Sequence, residues 1–194
     1  MKKIMFNDLY GLTEAVLDGR KTQTRRIAYE KPFKYYCNCG FYTEGKDKGK
    51  LAIYDGNEIV AKSTYKIGEV VAVAQRYSDI PYIKELHPRI NTSEGWGNKM
   101  FVKSDLMPHQ IKITKIWCER LQYISTDDCM KEGIFCSHID GIDDAYSYDA
   151  TNDSFEKKWW YRTPIEAYKM LSCKLHLHWD ANPLVFVYDF KLVK

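Results

Sequence analysis

Segments with the pattern of β-strands dominate this sequence, and helical segments do not alternate with them regularly. Residues 110–119 (QIKITKIWCE) alternate polar and apolar side chains, which is typical of a strand with one buried face. Residues 184–191 (LVFVYDFK) are rich in β-branched and aromatic side chains and predict a final strand, either central or closing a barrel. A further strand is expected over residues 70–77 and a loop over residues 78–99. The sequence therefore predicts an α+β domain, and we expect a small closed or nearly closed β-barrel with short helices packed around it.

Capping signals predict three helices around these strands. A side chain with an oxygen acceptor stands where each helix begins, and a glycine suits the left-handed residue that ends two of them. The longest helix begins with a capping box, in which a threonine is followed by a proline and then by a glutamate. The first helix is expected over residues 9–18, with Asn7 or Asp8 as its cap and Gly19 at its end. The second is expected to begin after Ser125 and to end at Gly133. The third is expected to begin after Thr163 and to run through residues 167–174.

The chain is expected to form a single domain over residues 1–194 with two additions. Residues 31–64 predict a β-rich insertion, in which Asp55-Gly56 marks a tight hairpin. The second addition is an acidic loop over residues 136–158. No internal repeat is present in the sequence.

Composition and the N-terminus exclude several classes of protein. Hydrophobic residues make up 45% and aromatic residues 14% of the chain, which is too apolar for an extended disordered protein. No run of about 18 apolar residues exists, so neither a membrane helix nor a membrane partner is expected. The basic N-terminus lacks the apolar core of a secretory signal, and the expected location is the cytoplasm.

The six cysteines are expected to be free thiols, because no secretory signal accompanies them. Cys37 and Cys39 form a CxC pattern rather than the CxxC of a zinc knuckle, and no second close pair follows. His176 and His178 lack a third placed ligand. The sequence therefore predicts no metal site and no cofactor.

Charge is distributed unevenly along a chain whose formal net charge is only +3. Residues 20–50 hold nine Lys and Arg against three Asp and Glu, whereas residues 125–156 hold nine Asp and Glu against one Lys. The densest basic segment is RKTQTRR, residues 20–26, which mixes four cations with two threonines. Such a segment can bind phosphates, it can place a lysine beside a threonine for catalysis, or it can be a solvated basic turn.

Four patches of the sequence resemble the ASCH family of the PUA-like superfamily. They are GRKTQTRR after a short helix, YKIGEVV at a turn and strand, ERLQYIS with a following EG, and WDANPLVFVYDF near the C-terminus. The resemblance is closest to phage-type and bacterial members, and it covers about residues 5–27, 65–77, 107–135 and 163–191. It implies a pseudo-barrel with a cleft between barrel and helices, and ligands that are nucleic acids or nucleosides.

Some members of this family are amidohydrolases that remove the acyl group from N4-acetylcytidine. Their lysine, threonine and glutamate match Lys21, Thr24 and Glu132 here, so the resemblance implies catalytic roles for these three residues. Phage-type relatives usually have an Arg-Glu pair where this chain has Ala74-Gln75, which removes a charge pair from a place that can line the cleft. The expected ligand-binding side chains are Arg20, Arg25, Arg26, Gln75 and Tyr77.

The chemistry of the three candidate catalytic residues is coherent. A threonine hydroxyl is a poor nucleophile unless a base takes its proton, and lysine is such a base only if its pKa falls through burial or neighbouring cations. Glu132 can deliver a proton to the departing amine. Because the separation of Lys21 and Thr24 is odd, their side chains converge only if the chain turns near Gly19.

Three functions are open on the sequence alone, and so is the oligomeric state. The leading one is an RNA- or nucleoside-binding domain that uses a basic cleft around residues 20–26. The first alternative is an amidohydrolase of N4-acetylcytidine or a related acylated nucleoside, and the second is a protein-interaction module that uses the acidic segment. Aromatic and lysine residues of the insertion can stack on unpaired bases, but an ordinary hairpin with a lysine-rich tip is the favoured interpretation.

Overall fold

Ten strands and four α-helices follow one another without regular alternation in the described part of the chain, which confirms the predicted α+β class. The structure is a computed structural model and describes residues 1–139, 142–148 and 159–193. In chain order the elements are β1 (Lys3–Ile4), α1 (Leu12–Leu17), β2 (Gln23–Tyr29), β3 (Cys37–Phe41), β4 (Leu51–Asp55), β5 (Glu58–Lys62), β6 (Val70–Val73), α2 (Ile83–Leu86), β7 (Gln110–Arg120), α3 (Thr126–Lys131), β8 (Phe135–Ile139), β9 (Ile142–Ser147), α4 (Pro164–Lys174) and β10 (Leu184–Leu192).

A five-stranded sheet in the order β1-β6-β7-β10-β2 forms the centre of the protein. β1 pairs with β6 in parallel, and the other neighbours are antiparallel. β10 lies between β7 and β2, so the prediction of a central final strand is confirmed. The described residues do not form the expected closed barrel, because β1 and β2 lie at opposite edges of the sheet. β1 contributes only two residues, which are too few to continue the ladder around a barrel.

Strand β10 is buried on both faces and anchors the sheet. Val185 and Val187 have no exposed surface, and Phe186 and Tyr188, which alternate with them, are nearly as deeply buried. The Tyr188 hydroxyl accepts a hydrogen bond from the Thr64 amide at 3.0 Å, at the end of the insertion. Because β2 pairs with this buried strand along six residues of β10, its side chains are held on a rigid support.

The insertion forms a separate three-stranded sheet in the order β3-β4-β5. The hairpin predicted at Asp55-Gly56 is confirmed, since Asp55 pairs with Glu58 and Gly56 has a φ of 60°. The insertion holds one strand more than the single hairpin expected. The additional strand, β3, has the short sequence CNCGF, in which only the phenylalanine has a strong strand preference.

A disulfide joins the insertion to the central sheet through Cys39 of β3 and Cys118 of β7. The expectation of free thiols is therefore wrong for this pair. The two cysteines are 79 residues apart, and only the packing of the insertion on β7 brings them together, which sequence spacing does not reveal. The described thiols that remain free are those of Cys37, Cys129, Cys136 and Cys173.

Short helices fill the region between β6 and β7, where the sequence predicts the end of a strand and then a loop. β6 ends at Val73 rather than at residue 77. Apolar side chains from the helices that follow form a second core, which includes Tyr77, Ile83 and Met107. Runs of three or four residues are too short to show helical periodicity, which explains why the pattern was not predicted. Besides α2, the short 3₁₀ helices here are Tyr77–Asp79, Ile90–Thr92, Glu94–Trp96, Lys99–Phe101 and Ser104–Leu106, and two more lie at Leu121–Tyr123 and Trp179–Ala181.

Two of the three predicted helix starts are confirmed by their caps. The Ser125 hydroxyl accepts a hydrogen bond from the Asp128 amide at the start of α3. Thr163 and Glu166 form the predicted capping box of α4. Each cap satisfies backbone amides that have no partner inside the helix, so the local sequence determines where these helices begin.

Helix α1 begins later than predicted and has a different start. Gly11, with a φ of 64°, precedes its first residue, and no side chain caps it. Asn7 instead accepts a hydrogen bond from the Leu9 amide, and the Asp8 carboxylate accepts one from the Thr13 hydroxyl at 2.5 Å. The helix is only six residues long, and across the described ranges none of the helices has the length and apolar character needed to span a bilayer.

A pair of strands occupies the first part of the acidic segment, where a loop is expected. β8 and β9 are antiparallel, with Phe135 opposite Ser147. Tyr146 forms a further bridge with Tyr161, so this strand pair packs back on the chain before α4. The rest of the predicted acidic loop, over residues 149–158, lies outside the described residues.

Candidate active site

A turn after α1 brings Lys21 back toward the central sheet. The Lys21 amide donates to the Ala15 carbonyl at 2.7 Å, and the Thr22 amide donates to the Lys131 carbonyl at 2.9 Å. The second bond joins the turn to the end of α3, and β2 begins with the next residue. The predicted turn is present, and Lys21 and Thr24 line one cavity in spite of their odd spacing.

Glu132 reaches the same cavity from the end of α3. Gly133 follows it with a φ of 100°, a left-handed conformation that favours glycine. A Cβ atom at residue 133 would lie 3.3 Å from Leu12 and 3.5 Å from Lys21. Glycine therefore allows α3 to approach α1 closely, and this approach places the Glu132 side chain beside Lys21.

Lys21 and Glu132 form a buried ion pair. Lys21 Nζ donates to Glu132 Oε2 at 2.6 Å and to the Glu132 carbonyl at 2.7 Å. The two side chains are only 2% and 4% exposed. Thr24 is also buried and contributes to the wall of the same cavity, so the structure brings the three candidate catalytic residues together.

We call this space the Glu132 cavity, and its volume is about 450 Å³. Its wall combines charged groups with apolar side chains from the N-terminal segment and from the chain that follows α4. The lining residues are Met5, Phe6, Asn7, Asp8, Leu12, Lys21, Thr24, Arg25, Arg26, Lys99, Glu132, Leu175 and Leu177.

Burial lowers the pKa of Lys21 below its usual value. The Glu132 carboxylate opposes this shift, while the charges of Arg26 and Arg25 add to it. A lysine whose pKa is lowered gives up its proton more readily than a solvated lysine does. Burial therefore makes Lys21 a better candidate for a general base than a solvated lysine would be.

Arg25 is held by three carboxylates. Its guanidinium has no exposed surface and donates to Glu119 at 2.7 and 3.1 Å, to Asp128 at 3.2 Å and to Glu132 at 3.2 Å. The side-chain oxygen of Gln23 accepts a further hydrogen bond. Burial alone would lower the pKa of Arg25, but the Glu132 and Glu119 carboxylates outweigh burial and raise it. Arg25 is thus permanently charged and fixes one oxygen of Glu132 while Lys21 binds the other.

We call Lys21, Arg25, Glu119, Asp128 and Glu132 the buried charge cluster. Its two cations face three carboxylates, so this part of the expected basic cleft carries no excess positive charge. A phosphate that bound Arg25 would have to displace Glu119, Asp128 and Glu132 from a guanidinium that has no exposed surface, which is costly. The structure therefore does not place Arg25 for phosphate contact, because segments remote in sequence supply its partners.

Arg26 and Arg20 are the exposed arginines of the basic segment. Arg26 lines the Glu132 cavity, donates to the Met5 carbonyl at 2.6 Å and lies 5.9 Å from the centroid of the Phe6 ring. Arg20 pairs with Asp18 at 3.1 Å and lies outside the cavity wall. Of the two, only Arg26 is placed to contact a ligand in the cavity.

Gln75 and Tyr77 do not line the Glu132 cavity. Gln75 lines a neighbouring cavity of about 560 Å³, and the two cavities have only Asp8 in common. Tyr77 is buried in the second core, where its hydroxyl accepts a hydrogen bond from the Lys103 amide at 2.7 Å. β6 ends at Val73, and the chain turns away before it can carry these side chains to the cavity. Their expected role beside Lys21 is therefore not supported.

Asp8 and Lys99 line the cavity but were not predicted as site residues. Lys99 Nζ binds Asp8 Oδ1 at 2.7 Å. Asp8 has the features of a helix cap in the sequence, and Lys99 falls in the predicted loop. Glu119, at the end of β7, is a further missed residue. A carboxylate near the end of a strand with one buried face is the sequence signal that marks it.

The histidines of the HxH pattern do not converge on a metal site. His178 Nδ1 lies 2.6 Å from Glu30 Oε1 at the surface. In the part of the chain that the structure describes, no group of three or more His, Cys, Asp or Glu side chains is arranged to hold a metal ion.

Comparisons with protein-family models, with curated proteins and with solved structures each give no match for this chain. The geometry of the Glu132 cavity and the sequence resemblance are therefore the basis for a function.

Proposed function

We propose that the protein binds an acylated nucleoside of the N4-acetylcytidine type in the Glu132 cavity and hydrolyses its amide bond. The observation that carries the proposal is the buried pair of Lys21 and Glu132, 2.6 Å apart, in a cavity that Thr24 also lines. A buried ion pair is seldom more stable than a pair of apolar side chains of similar volume. Its position in a cavity wall, with a lowered lysine pKa, favours a catalytic role.

The cavity suits a small ligand with one apolar and one polar side. Its volume of about 450 Å³ lies in the range of small-molecule sites. Phe6 and Leu177 offer apolar surface to a ring, while Lys21, Thr24 and Glu132 offer groups that exchange protons. The resemblance to ASCH amidohydrolases supplies the class of substrate, an acylated amino group on a pyrimidine nucleoside.

The reactive form is the neutral pair, in which one proton has moved from the Lys21 ammonium to the Glu132 carboxylate. The free Lys21 amine then takes the proton of the Thr24 hydroxyl as its oxygen attacks the acyl carbon. Glu132 gives its proton to the amide nitrogen as the C–N bond breaks, and the amino nucleoside leaves. Arg26 at the cavity wall is the cation placed to stabilise charge on the acyl oxygen.

A water molecule then hydrolyses the acyl-threonine ester. The Glu132 carboxylate takes a proton from the water as its oxygen attacks the acyl carbon, and the Lys21 ammonium returns a proton to the departing Thr24 oxygen. The products are a carboxylic acid and an amino nucleoside, and the pair is again neutral. Arg25 holds Glu132 in place throughout, because its guanidinium binds the oxygen that does not face Lys21.

A PUA-like pseudo-barrel is the architecture that we infer from the resemblance. The central sheet would form one side of such a barrel, and the three-stranded sheet, held to it by the Cys39–Cys118 disulfide, would extend it. The Glu132 cavity lies between the sheet and the ends of α1, α3 and α4, where the family cleft is expected.

The test is release of cytidine from N4-acetylcytidine, followed by chromatography. The wild type is expected to release cytidine, Glu132→Gln to lose release, and Thr24→Ser to retain part of it. Glu94→Gln, a change at an exposed residue away from the cavity, is the matched control and should leave the rate unchanged.

Binding of the nucleoside without release of cytidine distinguishes the remaining alternative, a nucleoside-binding domain, from a hydrolase. If the wild type binds the nucleoside and Arg26→Ala weakens binding, but no cytidine appears, the protein is a nucleoside-binding domain and the hydrolase proposal is wrong. If it neither binds nor hydrolyses the nucleoside, both roles of the cavity are excluded.

A further inference from the structure

A pocket of about 490 Å³ lies beside the second core, and we call it the Arg89 pocket. The short helices between β6 and β7 supply most of its wall. Except for Tyr77, its lining residues lie outside the four patches that resemble the ASCH family, and none of them lines the Glu132 cavity. A ligand of this pocket is therefore implied neither by the resemblance nor by the proposed hydrolysis.

The floor of the Arg89 pocket is apolar and held in place. Tyr77 and Ile90 are buried members of the second core, and Leu106 packs against that core. The Tyr77 hydroxyl accepts a hydrogen bond from the Lys103 amide at 2.7 Å, and the Ile90 amide donates to the His87 carbonyl at 2.9 Å. These bonds fix both sides of the pocket, so its apolar floor is formed before a ligand binds.

Apolar surface continues from the floor to the opening of the pocket. Leu86, the last residue of α2, lines the pocket and is 74% exposed. Pro88 lines the pocket beside it. A hydrocarbon chain that covered these side chains would remove apolar surface from water, which favours binding.

Two cations on the wall have no charged partner among the described residues. Arg89 and Lys103 are exposed, and the lining of the pocket contains no Asp or Glu. In the described part of the chain, neither side chain forms an ion pair or a hydrogen bond, whereas the other cations of residues 75–106 are engaged. The engaged cations are Arg76, 2.8 Å from Asp79, Lys99, 2.7 Å from Asp8, and Lys84, 4.7 Å from the centroid of the Trp96 ring.

The combination of these features favours a carboxylate with an apolar chain. A guanidinium matches a carboxylate with two parallel hydrogen bonds, and an ammonium group adds a second positive charge. A small inorganic anion would leave the apolar floor in water, and a neutral hydrocarbon would leave both cations unused. A fatty carboxylate uses the floor and the cations together.

A second cation-rich depression of the surface lacks an apolar floor. We call it the lysine surface, and its residues are Lys2, Lys46, Lys50, Lys62 and Lys66, with Asp47 and Glu69. Three of its five lysines already have a carboxylate partner: Lys50 and Lys62 bind Asp47 at 2.8 and 3.3 Å, and Lys2 binds Glu69 at 3.0 Å. Its lining residues include no apolar side chain, so it offers no site for a hydrocarbon chain.

We propose that the Arg89 pocket binds a single-chain fatty carboxylate of medium length, with the carboxylate on Arg89 and Lys103 and the chain along Leu86, Ile90 and Leu106. An anionic phospholipid combines the same two chemical features. In a bilayer, however, its chains lie behind a flat layer of head groups and do not reach a recessed floor. The free carboxylate is therefore the ligand that fits.

Isothermal titration calorimetry of the full chain compares octanoate, octanol and acetate. Octanoate should bind, and octanol should bind roughly tenfold more weakly because it offers no charge to Arg89 and Lys103. Acetate should not bind at the same concentrations, since it has no chain to cover the floor. From hexanoate to octanoate, each added methylene should strengthen binding by about fourfold.

Variants of the wall separate the two parts of the ligand. Arg89→Gln combined with Lys103→Gln should weaken octanoate binding roughly tenfold and leave octanol binding unchanged. Leu86→Ala should weaken the binding of both probes by about threefold, because it removes apolar surface at the opening. All three side chains are exposed, and thermal melting checks that the variants are folded.

The matched control removes the same charge elsewhere. Lys169 and Lys174 are exposed on α4, which lies outside the Arg89 pocket. Lys169→Gln combined with Lys174→Gln should bind octanoate as the wild type does. Equal losses in the two double variants would overturn the proposal, because binding would then follow net charge rather than this pocket.

Three further outcomes would also overturn the proposal. They are no binding of octanoate, equal affinity for octanoate and acetate, and binding to phosphatidylglycerol vesicles without binding of monomeric octanoate. The last would identify a contact with a lipid surface instead. Glu132→Gln should bind octanoate as the wild type does, so failure of the hydrolase proposal and failure of this one are distinguishable.

Discussion

The buried charge cluster and the lysine surface use the same residue types in opposite ways. Arg25 has no exposed surface and is surrounded by carboxylates, whereas Lys62 is 45% exposed. Carboxylates outnumber cations in the cluster, and lysines outnumber carboxylates on the surface. The difference shows that a basic run in the sequence does not indicate which charges a ligand can reach. Whether a cation is free to bind a ligand depends on the carboxylates around it, and for Arg25 these come from remote segments of the chain.

The largest expected difference between the two regions is in stability. Arg25→Ala should lower the free energy of unfolding by about 3–5 kcal/mol, because it leaves three carboxylates without their shared cation. Urea denaturation followed by tryptophan fluorescence measures this change. Lys62→Ala should have a midpoint close to that of the wild type, since its exposed pair with Asp47 contributes little. Similar losses in the two variants would remove the distinction between the regions.

The second difference is whether a positive charge alone is sufficient for the role of a lysine in each region. Lys21→Arg should reduce kcat for N4-acetylcytidine by about 10²–10⁴-fold, because arginine keeps its charge but does not give up its proton. On the lysine surface, hydrogen bonds from Lys50 and Lys62 lower the pKa of Asp47. Lys62→Arg should leave this pKa unchanged in an NMR titration, since there only charge is needed. Thermal melting of both variants serves as the folding control. Full activity of Lys21→Arg would show that Lys21 also acts only through its positive charge.

The third difference is the pH range in which a proton is lost from each region. The reactive pair must keep one proton, and burial lowers the pKa of Lys21, so kcat should fall as the pH rises through this lowered value. The neighbouring Tyr42 side chain and the pair with Asp47 raise the pKa of Lys62. In an NMR titration, Lys62 should therefore keep its proton to a higher pH than catalysis persists. Loss of the Lys62 proton and of kcat over the same pH range would contradict this order.

The smallest expected difference is in acid stability. Burial acts to raise the pKa of Asp128, but hydrogen bonds from Lys131 and Gln23 and the charge of Arg25 outweigh it and lower the pKa. A carboxylate with a lowered pKa in the folded state contributes stability above its unfolded value of about 3.9, and this contribution disappears as the pH falls through the folded value.

Asp128→Asn should accordingly reduce the change in unfolding free energy between about pH 5 and pH 2. The pKa of Asp47 is also lowered, chiefly by its bond with Lys50. Asp47→Asn should have the same sign of effect but a smaller size, because its partners Lys50 and Lys62 are 23% and 45% exposed and are screened by solvent, whereas Arg25 beside Asp128 has no exposed surface. The urea midpoints of both variants, measured across this pH range, show which effect is larger. A larger effect at Asp47 would count against the importance of burial in the cluster.

Local signals in the sequence predict much of the fold. The capping box at Thr163, the left-handed Gly19 and the central final strand depend on residues that lie close together along the chain or on strong strand preference. The turn that lets Lys21 and Thr24 share a cavity follows from the same local rules. The cap and the left-handed glycine are predictable because their free energy comes from neighbouring backbone groups, and the final strand is predictable from its β-branched and aromatic residues.

Long-range partners limit the prediction of the site. Arg25 binds carboxylates that lie 94 and 107 residues away, so its burial has no counterpart in the local pattern. The same limitation applies to the Cys39–Cys118 disulfide, whose cysteines are 79 residues apart. The sequence also predicts a strand through residue 77, whereas β6 ends at Val73 and Tyr77 lies in the second core.

The turn after α1, which is hydrogen-bonded to the end of α3, has a consequence for when the proposed hydrolytic activity would appear during folding. Lys21 and Glu132 are 111 residues apart, and closing a loop of that length costs roughly 4 kcal/mol of chain entropy. The few hydrogen bonds at the turn cannot offset that cost alone, so the pair forms only when β2, β7 and β10 have assembled around it. During refolding, catalysis should appear with the last long-range contacts rather than with the first helices. The recovery of hydrolytic activity during refolding would then report when the whole chain has folded.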